Sequence, residues 1–175
     1  MTDEPVEIAW QGKWVVAKRQ GKWEYVSRAR NIQAAVIVAI DDSDHVLLVD
    51  QYRVPLGKRC LELPAGLIGD EHDGDTALDA ARRELEEETG YRCASVEDLG
   101  YFHSSPGMVS EGFTLVRATG LTKMGEGGGV AEEDIVVHRV ALADVPAFVA
   151  QKRAEGMAVD VKLLLLLAGT MLQRR

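Results

Sequence analysis

Glu84, Glu87 and Glu88 lie at i, i+3 and i+4 in the run Arg83-Glu84-Leu85-Glu86-Glu87-Glu88. On a helix that spacing puts all three carboxylates on one face. Gathering like charges this way costs roughly 0.2–0.5 kcal/mol per pair in an isolated helix. Arg83 can offset part of the cost by pairing with Glu87 one turn on, and Arg82 by pairing with Glu86. Hard oxygen donors in close array suit Mg²⁺ or Mn²⁺, ions that keep several waters and also bind substrate phosphates. An acid-rich helix is also an ordinary way to make a solvated face. The run alone leaves both readings open.

The segment that must present this face runs from Asp75 to Thr89, with Ala77, Leu78, Ala81 and Leu85 on one apolar stripe. Asp75 or Thr76 can cap its start, and Gly90 ends it. Upstream, Val6 to Trp10, Trp14 to Ala17 and Trp23 to Val26 read as short strands separated by turns at Gln11-Gly12 and Gln20-Gly21. Gln33 to Ile40 and His45 to Gln51 are the next two strands, joined by a polar hairpin loop. Leu61-Glu62-Leu63 alternates briefly before Pro64-Ala65-Gly66 breaks the pattern. Strands resume around Leu99 to Phe102, Phe113 to Ala118 and Asp134 to Ala141. Two helices follow, Val145 to Glu155 capped by Asp144 and Val161 to Gln173 capped by Asp160. The patch Gly125-Glu126-Gly127-Gly128-Gly129 reads as a flexible loop. This order of elements predicts a mixed α/β layered domain.

A chain of 175 residues fits one ordinary domain with a hydrophobic core. Its net charge of -8 argues against a broad grip on nucleic acid phosphates. Some of those carboxylates are candidates to hold cations, which in turn attract an anionic substrate. Cys60 and Cys93 form no CxxC pair and read as buried thiols in a reducing compartment. The polar start Met1-Thr2-Asp3-Glu4-Pro5 is not a signal peptide, and the apolar run from Leu163 to Gly169 is too short to span a bilayer. A cytoplasmic protein without membrane partners is expected. His72 and His103 have no paired spacing to another His or Cys and are not read as ligands.

From Arg83 to Tyr91 the chain matches without a gap the second half of the pattern Gly-x5-Glu-x7-Arg-Glu-U-x-Glu-Glu-x-Gly-U, where U is bulky and apolar. With Leu63-Pro64-Ala65-Gly66-Leu67-Ile68 before it, the stretch resembles the box of the Nudix hydrolase family. The first half departs from that pattern. Asp75 stands at the glutamate position, and Gly69 is the glycine by spacing. The Pro-Ala-Gly lead-in points instead to Gly66, with three extra residues in the loop that follows. Gln51-Tyr52-Arg53, Glu62-Leu63-Pro64-Ala65-Gly66 and Ser105-Pro106-Gly107 are similar to segments of the ADP-ribose pyrophosphatase and nucleoside-diphosphate-sugar hydrolase branch.

That resemblance implies an α/β fold of α+β type. It is an α/β/α sandwich with a mixed sheet over residues 33–175, preceded by a small antiparallel β region at 1–32 that forms a homodimer. It implies Glu84, Glu88 and the carbonyl of Ala65 as ligands to Mg²⁺ or Mn²⁺, with Glu87 binding through water or supporting the ligands. The general base is implied on the loop after the box, at Glu133 or Glu132, where the bland alternative is a solvated acidic turn. For substrate it points to Trp23 and Arg28 at the adenine, Arg53 at phosphate or ribose, and Glu62 and Glu111 nearby. Arg53 reads equally as a strand-end charge, Trp23 as core and Glu111 as surface. The implied reaction hydrolyses ADP-ribose to AMP and ribose 5-phosphate. Another nucleoside-diphosphate sugar, such as GDP-mannose or ADP-glucose, is the near alternative, and a nucleotide-sugar sensor without turnover is the distant one. The three glutamates argue against the sensor.

Overall fold

Two strands, β4 (Gln33–Ala39) and β5 (His45–Arg53), bury side chains on both faces and divide the interior in two. Val36, Val38, Val46 and Leu48 point into one apolar cluster, while Ala35, Ile37, Ala39 and Leu47 point into the other. This follows from the period of two along a strand combined with near-continuous apolar sequence. The computed structural model describes residues 4–69, 76–129 and 133–173.

The remaining strands are β1 (Glu7–Gln11), β2 (Val15–Gln20), β3 (Trp23–Arg28), β6 (Lys58–Glu62), β7 (Ala65–Ile68), β8 (Tyr91–His103), β9 (Gly112–Lys123), β10 (Val136–Ala141) and β11 (Ala158–Val159). The helices are α1 (Ala77–Thr89), α2 (Val145–Ala154) and α3 (Leu164–Met171). β4 belongs to a sheet ordered β7-β4-β9-β8, and β5 to a sheet ordered β10-β5-β6-β11. Each sheet is mixed, with β4 parallel to β9 and β6 parallel to β11. α1 covers one cluster through Ala81 and Leu85, and α2 closes the other through Val145 and Val149. The result is the expected layered α/β/α arrangement, preceded by the antiparallel sheet β1-β2-β3. No helix among the described residues is long and apolar enough to cross a membrane.

Several local expectations need correction. The strand does break at Leu63-Pro64, but only for two residues, because β7 begins at Ala65 and pairs with β4. Asp144 makes no side-chain cap on α2; a 3-10 turn over Leu142–Asp144 leads into that helix instead. Asp160 does cap, accepting from the Lys162 amide, but the element it starts is a 3-10 turn that passes into α3. Asp75 lies outside the described residues, and α1 starts at Ala77 behind Thr76.

Thr76 and Asp79 form a reciprocal capping box. The Thr76 hydroxyl accepts from the Asp79 amide at 3.2 Å, and the Asp79 carboxylate accepts from the Thr76 amide at 3.3 Å. Thr76→Ala should therefore lower the unfolding free energy by about 1 kcal/mol in urea titration. An unchanged midpoint would show that the cap contributes nothing to α1.

Candidate active site

α1 presents its acidic face to a cleft of about 610 Å³ that draws residues from both four-stranded sheets. Glu84 and Glu87 line the cleft together with Ala65, Glu62, Arg53, Arg28, Glu111 and Glu133. Glu88 is one turn on from Glu84 and only 4% exposed. Its Oε2 accepts a hydrogen bond from the Ala65 amide at 3.1 Å. Trp23 is exposed on β3 and does not line this cleft. Glu132 and His72 lie outside the described residues.

Close approach of backbone to helix brings Ala65 and the glutamates together. A Cβ built on Gly66 would fall 1.9 Å from Glu84 Cγ, so a larger residue there would displace the Glu84 side chain. Gly69 has open space around it and owes its glycine to a φ of +77°. Of the two candidates in the sequence, Gly66 is the one against which the box helix packs.

The patch 125–129, expected as a flexible loop, is docked on the C-terminal end of α1. The Gly128 amide donates to the Glu88 carbonyl at 2.8 Å, and the Gly129 amide to the Glu87 carbonyl at 3.0 Å. Helix ends leave such carbonyls without partners, and here the loop supplies the donors. A Cβ on Gly127 would sit 2.4 Å from the Thr89 carbonyl carbon, so glycine here serves contact as well as its positive φ.

Burial pushes the Glu84 carboxyl up to about 7, with repulsion from Glu87 and Glu133 adding to it and Arg83 opposing. Burial likewise pushes Glu88 up to about 8, against the Ala65 amide and Arg53 and helped by Glu84 and Glu133. Four carboxylates therefore feel one another across the site. Arg83 bonds Glu84 at 2.9 Å and Glu87 at 3.5 Å. Glu86 faces away and pairs with Arg92 at 2.7 Å, while Arg82 reaches the Cys93 carbonyl, so the expected Arg82–Glu86 pair does not form. Among the described residues, no three Asp, Glu, His or Cys side chains already converge tightly enough to enclose an ion. The donor set is still of the kind a hard divalent cation takes: oxygen only and crowded, with Glu84 and Glu88 raised in pKa by burial and repulsion that such a cation would relieve.

The cations of the cleft are paired in place. Arg53 forks onto the buried Glu62 with two bonds of 2.7 Å, and Arg28 bonds Glu111 at 2.6 Å. Sequence reasoning missed Gln51, Ser104, Phe113, Asp160 and Lys162, which also line the cleft. Lys162 bonds Asp160 at 2.7 Å and lies 5.6 Å from the Phe113 ring centroid. Asp160 and Lys162 reach the cleft only through the three-dimensional approach of the segment before α3.

Residues 30–158 match the family model described as NUDIX domain. The chain is 36% identical over 125 residues to a methanol dehydrogenase activator of Bacillus methanolicus, covering 71% of this chain and 66% of that protein. It is 33% identical over 112 residues to an ADP-ribose pyrophosphatase of Bacillus subtilis (strain 168), covering 63% and 59%. The chain spans 44% to 66% of the length of these and two further relatives. A crystal structure of an ADP compounds hydrolase superposes with a TM-score of 0.66 at 25% identity, covering 95% of this chain and 91% of that one.

Carboxyls raised in this way bind protons more tightly folded than unfolded. Their contribution to stability is complete below about pH 4.5 and is lost as pH rises through about 7 and about 8. In chelator, the denaturation midpoint should therefore fall across that window. Glu88→Gln should flatten the slope, and a flat profile for the unsubstituted protein would contradict the burial argument.

Proposed function

The chain belongs to the NUDIX family, and we propose that it hydrolyses the pyrophosphate of ADP-ribose to AMP and ribose 5-phosphate with Mg²⁺ or Mn²⁺. The observation that carries this reading is the carboxylate face of α1, which opens with Glu133 into a cleft that also contains three arginines and a lysine. A diphosphate needs both sets of groups. The names of the ADP-ribose pyrophosphatase and the ADP compounds hydrolase support the choice of nucleotide.

Glu84, Glu88 and the Ala65 carbonyl are assigned to hold the cation, with Glu87 supporting them. A bound divalent cation supplies charge neutralisation at the phosphate oxygens and lowers the pKa of a coordinated water. Glu133 is assigned as the base that takes the proton from the attacking water. Arg53 keeps three of its five donors beyond the two given to Glu62, enough to fork onto phosphate. Glu62 sets the direction of that fork, and Arg28 and Glu111 bound the far wall of the cleft.

Trp23 stands outside the cleft of its own subunit, which supports a homodimer through β1-β2-β3 in which Trp23 stacks on the adenine bound by the other subunit. Exposed Ile8, Trp10 and Trp14 give that sheet apolar surface to bury. Cys60 and Cys93 are free thiols, in keeping with a reducing, cytoplasmic compartment.

Hydrolysis with Mg²⁺ should be highest for ADP-ribose in a panel that includes GDP-mannose and ADP-glucose. A preference for a sugar nucleotide would move the substrate but keep the chemistry, whereas tight binding without turnover would favour a sensor. Glu133→Gln should lower kcat by about 10²–10⁴-fold with KM little changed. If Glu132→Gln lost the rate and Glu133→Gln kept it, the base would be the neighbouring residue. Equilibrium sedimentation should give twice the chain mass; a monomer would remove the role of Trp23.

A further inference from the structure

We propose that Arg59 is a positioning residue that fixes Glu133 opposite the acidic face of α1, an inference that rests on Glu133 acting as the base. Arg59 sits on β6 and grips Asp134, the residue next to Glu133. Its Nη1 donates to Asp134 Oδ2 at 2.5 Å, and its Nη2 donates to the Asp134 carbonyl at 2.9 Å. The same guanidinium is anchored below. Its Nε donates to Asp50 Oδ1 and its Nη2 to the Asp50 carbonyl at 2.8 Å. Asp50 is only 3% exposed, and its other oxygen lies 2.5 Å from His138 Nε2 on β10. One guanidinium therefore ties the backbone beside Glu133 to the centre of the sheet.

Glu133 is bounded on its other side as well. A Cβ on Gly129 would fall 2.3 Å from Glu133 Oε2, so this side chain lies directly against Gly129, whose amide is bonded to α1 at the Glu87 carbonyl. Glu133 thus lies between one attachment to α1 and one to Arg59.

Stability accounts for the Asp50 half of the arrangement, where the carboxylate is buried, but not for the Asp134 half. Asp134 is 79% exposed on its side chain, and ion pairs at such positions contribute little. Position does. A general base must come within about 2.6–3.2 Å of the proton it takes, and a misplacement near 1 Å can cost about 10²-fold in rate. Arg59 does not itself line the cleft, so it acts on the reaction through Glu133 and not by touching substrate.

The test is a double-mutant cycle of steady-state kinetics with ADP-ribose and Mg²⁺. Arg59→Ala should lower kcat about 10–100-fold and leave KM within about threefold. Added to Glu133→Gln, it should lower kcat by less than about twofold more, because the group it positions is already gone. Arg59→Lys keeps the charge but not the fork, and should show an intermediate loss with the same non-additivity. It carries the test if Arg59→Ala does not fold. Full additivity, an unchanged kcat, or a change confined to KM would each overturn the proposal. If Glu133→Gln kept full rate, the base assignment itself would fall, and this inference with it.

Discussion

The second half of α1 concentrates negative charge where the helix tolerates it least. Glu84, Glu87 and Glu88 share one face near the C-terminal end, where the peptide dipole is already negative. Glu88 is buried there, and Glu84 nearly so. Removing charged oxygens from water without partners is costly, and the surrounding elements supply what is missing. β7 offers the Ala65 amide to Glu88, Arg83 covers Glu84, and the glycine patch donates two amides to the last carbonyls of the helix. Even so, the two carboxyls remain displaced toward protonation. The fold supports this face without neutralising it, which suits the cation site proposed for it.

One of the two apolar clusters holds that helix in place. Ala81 and Leu85 flank the acidic stripe of α1 and are fully buried against β4, β5 and β9. Small residues there let the helix sit close to the sheet. Closeness is also what forces glycine at position 66, where the sheet edge meets Glu84. Packing and the carboxylate stripe occupy adjoining faces of the helix, so both depend on its close approach to the sheet.

Features that depend on local spacing were legible in the sequence. The i, i+3, i+4 glutamates, the apolar stripe, a cap at Asp75 or Thr76 and the strands β4 and β5 all follow from neighbours within a few residues. Features that depend on distant partners were not. β7 is only four residues long and follows a proline, so its strand character comes from pairing with β4. The glycine patch looks loose by composition and is held by a helix end more than thirty residues away in sequence. Lys162 and Asp160 join the cleft only because β11 places them beside β6.

In the proposed function the cleft would have to bind its anion locally, because the chain as a whole carries net negative charge. With a net charge of -8, long-range attraction cannot bring a diphosphate in. Arg28, Arg53, Arg83 and Lys162 must attract it at short range, yet each already holds a carboxylate: Glu111, Glu62, Glu84 and Asp160. The two cases differ. A guanidinium carries five donors in a rigid fork, so a carboxylate on one edge fixes its plane and leaves the other edge for phosphate. The Lys162 ammonium has no plane to fix, so its pairing with Asp160 serves chiefly to lower its free charge. Arg83 differs from both, because its partners are the glutamates that a cation would claim. In the proposed function, a cation held by Glu84 and Glu88 would draw those oxygens from Arg83, and the guanidinium could then turn its donors to a phosphate.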